Sequence, residues 1–222
     1  MQHVTDRRPA PVGIYHARFS DLPDRPDTLS RAEMARASRF VHAASAIRFR
    51  KGRAWMRHRL GLALGMAPQD VPLITGPHDK PELSGARLHF NLSHSGDQIA
   101  LAISDCPVGL DLEQPPAYDH TPLLPQIASP GELEQTDSNS PLTVERFLIL
   151  WTAKEAILKL LGTGLKTDPR TIHLGALDGH DPKSVQVLGQ SVCLRRLPDI
   201  DTAVAHVAVP GKSIDIRIHD EP

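Results

Sequence analysis

Residues 99–113 read Ile99-Ala100-Leu101-Ala102-Ile103-Ser104-Asp105-Cys106-Pro107-Val108-Gly109-Leu110-Asp111-Leu112-Glu113. Two short apolar runs flank a turn-forming Ser-Asp-Cys-Pro, the pattern of two strands, and their closeness predicts an antiparallel hairpin. Side chains on a strand alternate between its faces. Val108, Leu110 and Leu112 then share one side, while Gly109, Asp111 and Glu113 share the other. The glycine leaves room beside the two acids for a bulky group. Standing alone, such a strand fits a solvated acidic edge better than a site.

Downstream, residues 144–161 give the clearest helix, ended by Gly162. Phe147, Leu150, Trp151, Ile157, Leu158 and Leu161 track one apolar stripe. Lys154 interrupts it, which a purely structural helix would avoid. Glu155 and Lys159 are helical neighbours at i and i+4, an arrangement that an ordinary surface ion pair also satisfies. Glu155 lies between Trp151 and Leu158, and a carboxylate half-buried by apolar neighbours needs a cation. Asp111, Glu113 and Glu155 with Lys154 and Lys159 together suit a hard divalent cation holding a phosphate ester.

Upstream, residues 12–17 read as a first strand and residues 30–65 as two helices with a break near 42–45. Ser30 with Glu33 three residues on forms a capping-box signature, and Gly65 ends the second helix. Leu73-Ile74 leads to a turn at Gly76-Pro77-His78-Asp79-Lys80-Pro81, and residues 88–92 form a short strand. The segment 114–143 reads as irregular with one short helix near 131–135. Strands are expected at 184–188, 192–197, 203–209 and 213–218. The pattern is α+β, with helices covering antiparallel sheets.

The chain has 222 residues, 40% of them hydrophobic, enough to bury a real core. A net charge of −1 creates no global field to recruit nucleic acid or membrane. Aromatics make up 4%, so the core rests on Leu, Ile, Val and Ala. Cys106 and Cys193 form no CxxC, which argues against structural zinc and implies no disulfide. No secretory signal or membrane-spanning run is evident, so a soluble cytoplasmic protein is expected.

Two further features carry candidate chemistry. Asn91-Leu92-Ser93-His94-Ser95-Gly96 offers hydroxyls, an amide and an imidazole suited to phosphate, although a plain polar turn also fits. A serine nucleophile with His94 as base is disfavoured, because adjacent residues rarely reach that geometry. Arg48, Arg50, Lys51, Arg53, Arg57 and Arg59 crowd one helix, with Arg31, Arg36 and Arg39 before it. A solvated face, an anionic ligand or acidic protein, and nucleic acid all remain readings of that stretch.

Taken in order, these segments resemble the 4′-phosphopantetheinyl transferase superfamily, in its long, monomeric type. The resemblance covers roughly residues 33–165. It rests on Gly76…Lys80-Pro81, Phe90-Asn91-Leu92-Ser93-His94-Ser95, Val108-Gly109-Leu110-Asp111-Leu112-Glu113 and Trp151-Thr152-Ala153-Lys154-Glu155-Ala156…Lys159…Gly162-Thr163-Gly164-Leu165. The last two, about 40 residues apart, are the specific ones. Three extra residues separate Gly76 from Lys80, where the family has Gly-Lys-Pro directly.

The resemblance implies an enzyme that moves phosphopantetheine from coenzyme A to a carrier-protein serine, releasing adenosine 3′,5′-bisphosphate. Asp111, Glu113 and Glu155 would hold Mg²⁺ against the pyrophosphate. Glu155, or a metal-bound water beside it, would take the serine proton, with Glu132 as a weaker candidate. Lys159 would stabilise the leaving phosphate and Lys154 would join the same field. Ser93 and His94 would bind coenzyme A phosphates. Lys80 and Arg48 would meet its adenosine 3′-phosphate region, with Arg36 further out. Arginines around Arg53 and Arg57 would face an acidic carrier helix. The implied fold is two similar halves, residues 1–106 binding coenzyme A and residues 107–222 holding metal, with the ligand cleft between them. The alternatives are another Mg²⁺-dependent phosphoesterase and a nucleic-acid-binding module on the Arg31–Arg59 helices.

Overall fold

The computed structural model describes residues 10–76, 80–85, 87–139, 143–177 and 179–219. Residues 77–79 of the expected turn lie outside these. Ser30 caps α1 (Arg31–Ala37) as the capping box requires: its hydroxyl accepts the Glu33 N–H, and Glu33 accepts the Ser30 N–H at 2.8 Å. The chain breaks at His42 and re-enters α2 (Ala43–Leu64), which stops where Gly65 turns left-handed at φ +69°. That conformation carries no Cβ penalty in glycine.

Two four-stranded sheets form the centre. The first runs β10 (Ile214–His219), β1 (Ala10–Arg18), β5 (Gln98–Ser104), β4 (His89–Ser95), with β10 parallel to β1 and the other pairs antiparallel. The second runs β6 (Gly109–Glu113), β9 (Val204–Pro210), β8 (Gln190–Arg196), β7 (Lys183–Val187), all antiparallel. A small hairpin, β2 (Leu73–Thr75) with β3 (Pro81–Leu83), stands apart. Each large sheet contains one strand, then a long helix, then a hairpin whose second strand lies beside the first: β1, α2, β4–β5 and β6, α5 (Val144–Leu161), β8–β9. The architecture is α+β.

The hairpin expected from residues 99–113 does not form. β5 pairs with β1 and β4, while β6 pairs with β9 in the other sheet. Every residue of β5 is buried, so neither its apolar run nor its period says which strand lies alongside. The turn at 104–107 instead carries the chain from one sheet to the other.

The sheets face each other across one core. Val12, Ile14, Ala100 and Ala102 meet Leu110, Leu112, Ala205 and Val207 there. α2 covers the outer face of the first sheet with Trp55, Met56 and Leu60 against Ile99 and Leu101. α5 covers the second with Ala156, Ile157 and Leu158 against Val192, Leu194 and Ala208. The alternation read on β6 holds, with the leucines in the central core and Gly109, Asp111 and Glu113 turned toward α5. Gly109 is required by that approach. A Cβ there would lie 1.9 Å from the Ala156 carbonyl oxygen and 2.5 Å from the Leu160 nitrogen.

The segment after β6 is more ordered than expected. It holds a short α3 (Leu124–Ile127) and then α4 (Pro130–Asn139). No helix among the described residues is long and apolar enough to cross a membrane. Cys106 and Cys193 are both free.

Candidate active site

Because α5 lies over the acid-bearing face of β6, Glu155 and Lys159 come down beside Asp111 and Glu113. Lys159 Nζ sits 2.6 Å from Asp111 Oδ1 and 2.9 Å from Ser93 Oγ. Ser93 donates to the same carboxylate oxygen at 2.9 Å. Asp111 Oδ2 is buried and has no hydrogen-bond partner among the described residues.

The other two acids are held less tightly and feel Asp111. Burial pushes the Glu155 carboxyl up, and the charges of Asp111 and Glu113 push it further. Burial also raises Glu113, and Asp111 adds to this against hydrogen bonds from Ser95 and Trp151 that favour the ion. Trp151 is half-buried, packed on the Phe147–Leu148 core cluster and walling the cleft. Three carboxylates thus crowd a region where the close cation is Lys159. As placed, no group of three His, Cys, Asp or Glu side chains among the described residues is arranged to hold an ion. The donor set nonetheless fits a hard cation: all-oxygen ligands, mutual repulsion for a positive charge to relieve, and a bare oxygen on Asp111.

Basic groups lie to one side. A cavity of ≈ 310 Å³ is lined by Lys80, His94, Arg53, Lys159 and Gly162. Lys80 donates to the Lys159 carbonyl at 3.0 Å, tying the β3 end to the close of α5. Burial lowers Lys80, and burial followed by the Arg48 charge lowers His94. Arg48 stacks 4.1 Å over the Phe19 ring and donates to the Gly96 carbonyl. A neighbouring cavity of ≈ 560 Å³ under α1 holds Arg36, Arg39 and Arg53, with Arg36 and Arg53 on the Phe49 ring. On the other side of the acids, a third cavity of ≈ 580 Å³ is walled by Glu113, Trp151, Phe147 and Ile127.

Several sequence candidates prove to be engaged elsewhere. Lys154 is fully buried and turned away from the cleft. It donates to Glu132 at 2.7 Å and to the Ile127 and Pro169 carbonyls at 2.7 and 3.0 Å, which uses all three ammonium hydrogens. It is no ligand for coenzyme A phosphate, because its charge is spent inside. Glu132 fails as a base for the same reason: Lys154 and the Ser129 and Leu174 N–H groups hold it ionised. The interrupted stripe on α5 signalled this buried pair, whose acid partner comes from the segment read as mostly irregular.

Ser93 has its hydroxyl fully occupied by Asp111, Lys159 and the Leu112 N–H. Asn91 accepts the Leu110 N–H at 3.2 Å. The two side chains of β4 thus lace the first sheet to the edge of β6, a role missed in a stretch that looked like phosphate chemistry. Arg57 is 3% exposed, paired with Glu33 at 2.8 Å and donating to the Pro68 and Val71 carbonyls, so it cannot face a carrier. Arg50 pairs with Asp24. The arginine helices are therefore partly consumed in packing.

An acid-lined strand faces a Glu–Lys helix with basic cavities alongside, residue types whose chemistry suits phosphate esters. A profile of the 4′-phosphopantetheinyl transferase superfamily matches residues 107–204. The 4′-phosphopantetheinyl transferase HetI of Nostoc is 36% identical over 200 residues, 86% of this chain and 83% of that protein. A 4′-phosphopantetheinyl transferase of Bacillus subtilis is 27% identical over 168 residues, 69% and 74% of the two chains. The 4′-phosphopantetheinyl transferase AcpT of Salmonella typhimurium is 38% identical over 113 residues, 49% and 58%. The chain belongs to the 4′-phosphopantetheinyl transferase superfamily, whose members transfer phosphopantetheine to carrier proteins and use coenzyme A with, typically, a divalent metal.

Proposed function

We propose that this chain transfers 4′-phosphopantetheine from coenzyme A to a carrier-protein serine in a Mg²⁺-dependent reaction, releasing adenosine 3′,5′-bisphosphate. The observation that carries this is Asp111, clamped at Oδ1 and bare at Oδ2, beside two carboxylates whose ionisation is opposed by its charge.

Asp111, Glu113 and Glu155 would hold the metal, which when bound neutralises the pyrophosphate and polarises the attacked phosphorus. Lys159 spends two N–H groups on Asp111 and Ser93, leaving the third for the leaving phosphate. Lys80 and His94 line the cavity beside it and would take the nucleotide end, with Arg48 and Arg36 flanking. A serine hydroxyl needs a base. With Glu132 locked to Lys154, Glu155 takes the proton directly or through a water. The serine oxygen then bonds to the phosphorus bearing pantetheine, the bond to the bridging oxygen breaks, and its electrons leave on the adenosine bisphosphate. The nucleotide half before residue 107 and the acid-bearing half after it would meet at this cleft.

Incubation with coenzyme A, Mg²⁺ and an apo carrier protein should add one phosphopantetheine to the carrier, read by mass spectrometry, and chelation should stop it. Release of inorganic phosphate without a carrier mass gain would overturn the assignment in favour of a phosphoesterase.

A further inference from the structure

Ser93 sits in a stretch whose residue types suit phosphate, yet its contacts point inward. A hydroxyl has one hydrogen to donate and two lone pairs to accept with. Ser93 donates to Asp111 Oδ1 at 2.9 Å, accepts the Leu112 N–H at 3.3 Å and accepts Lys159 Nζ at 2.9 Å. Nothing remains for a ligand. Ser93 and Asp111 are 6% and 3% exposed, so water does not compete for these bonds.

We infer that Ser93 is a positioning residue, which fixes the Asp111 carboxylate so that Oδ2 stays bare for a divalent cation. The inference rests on the metal reading given above. Asp111 projects from β6 on a side chain with two rotatable bonds. Lys159, on its long flexible stem, can follow the carboxylate wherever it turns and so cannot set its angle. Ser93 can, because its own oxygen is pinned by the backbone N–H of Leu112, the residue after Asp111. Strand, hydroxyl and carboxylate oxygen form one fixed frame, and Oδ2 is left without a partner among the described residues. Groups that orient a metal's ligands in this way commonly change metal affinity about 10–100-fold when removed.

The fold supplies its own control. Asn91, two residues earlier on β4, makes the matching bond to the Leu110 N–H at 3.2 Å. No hydrogen bond joins it to an acid among the described residues. Loss of either side chain strips one lacing bond between β4 and β6, but only loss of Ser93 frees Asp111.

The test is Mn²⁺ affinity of the full chain without coenzyme A, read by electron paramagnetic resonance. Ser93→Ala should weaken binding about 10–100-fold, Ser93→Thr should restore most of it, and Asn91→Ala should stay near wild type. Asp111→Ala should abolish high-affinity binding. Should Ser93→Ala not fold, Ser93→Cys, similar in size but a weak donor, is expected to show the same loss. Wild-type affinity in a hydroxyl-free Ser93 variant, or equal weakening in Asn91→Ala, would overturn the positioning role while leaving the metal reading intact. Wild-type affinity in Asp111→Ala would overturn the metal reading itself.

Discussion

Lys154 and Glu132 form an ion pair of 2.7 Å in which the lysine is fully buried and the glutamate 6% exposed. The pair fastens α4 and the 3₁₀ turn at 169–171 to the underside of α5. The residue after Lys154, about 100° further round the helix, is Glu155 in the cleft. Anchoring below thus fixes the helix face presented above.

Removing one member of a buried pair leaves the other uncompensated. Lys154→Ala should therefore cost about 3–5 kcal/mol in urea unfolding. The double change Lys154→Met with Glu132→Gln should recover much of that. Its Michaelis constant for coenzyme A should match wild type. A raised constant in a stable double variant would return Lys154 to the ligand.

Glu155 is destabilising until a cation arrives. A carboxyl whose pKa is raised on folding binds more protons in the native than in the unfolded state, so stability falls as pH rises above the ordinary value near 4.5. Glu155→Gln should then raise the metal-free melting temperature at pH 7 and make it less sensitive to pH. Transfer should drop on the order of 10²–10³-fold or more. A lowered melting temperature would contradict the crowding described here.

His206 works in the opposite direction. Burial and the charges of Arg196 and His180 hold its imidazole down at about 3. The Thr152 hydroxyl, which donates to the Leu148 carbonyl, accepts its Nδ1–H at 2.8 Å. Below pH 6.5 the unfolded chain takes up a proton that the native ring refuses. Stability from this residue is full above 6.5 and lost progressively down to about 3, at roughly 1.4 kcal/mol per pH unit. His206→Gln should flatten the stability profile between pH 6 and 4. An unchanged slope would show that the ring is protonated in place.

Gly109→Ala is expected to be among the most damaging single changes. Both atoms that the new Cβ would meet are helix backbone, so α5 must move as a body. The cost should reach or exceed the roughly 3 kcal/mol upper end for overpacking. Activity should fall with it, since Glu155 and Lys159 ride on that helix. A stable, active Gly109→Ala enzyme would mean that α5 can withdraw freely.

Much of the site was legible because its elements are locally coded. Alternation on β6 put both acids on one side, and the capping box and closing glycines fixed three helix ends within a residue or two. What escaped depends on partners far along the chain. Nothing near Lys154 announces Glu132, which approaches from the connection after β6. Nothing in residues 99–113 says that consecutive strands join different sheets, because β5 is buried on both faces and shows no polar side. Ser93 and Asn91 look like ligand groups since hydroxyls and amides serve phosphate and strand edges alike. Only the nearness of β4 and β6 distinguishes the two uses.

β10 lies beside β1, in parallel, although almost the entire chain separates them. The outer edge of β1 therefore waits for residues 214–219 to be made. On a translating ribosome the first sheet would stay open along one side until residues 214–219 had emerged, whatever had already folded. A fragment ending at 106 would carry that bare edge permanently, inviting another chain to fill it.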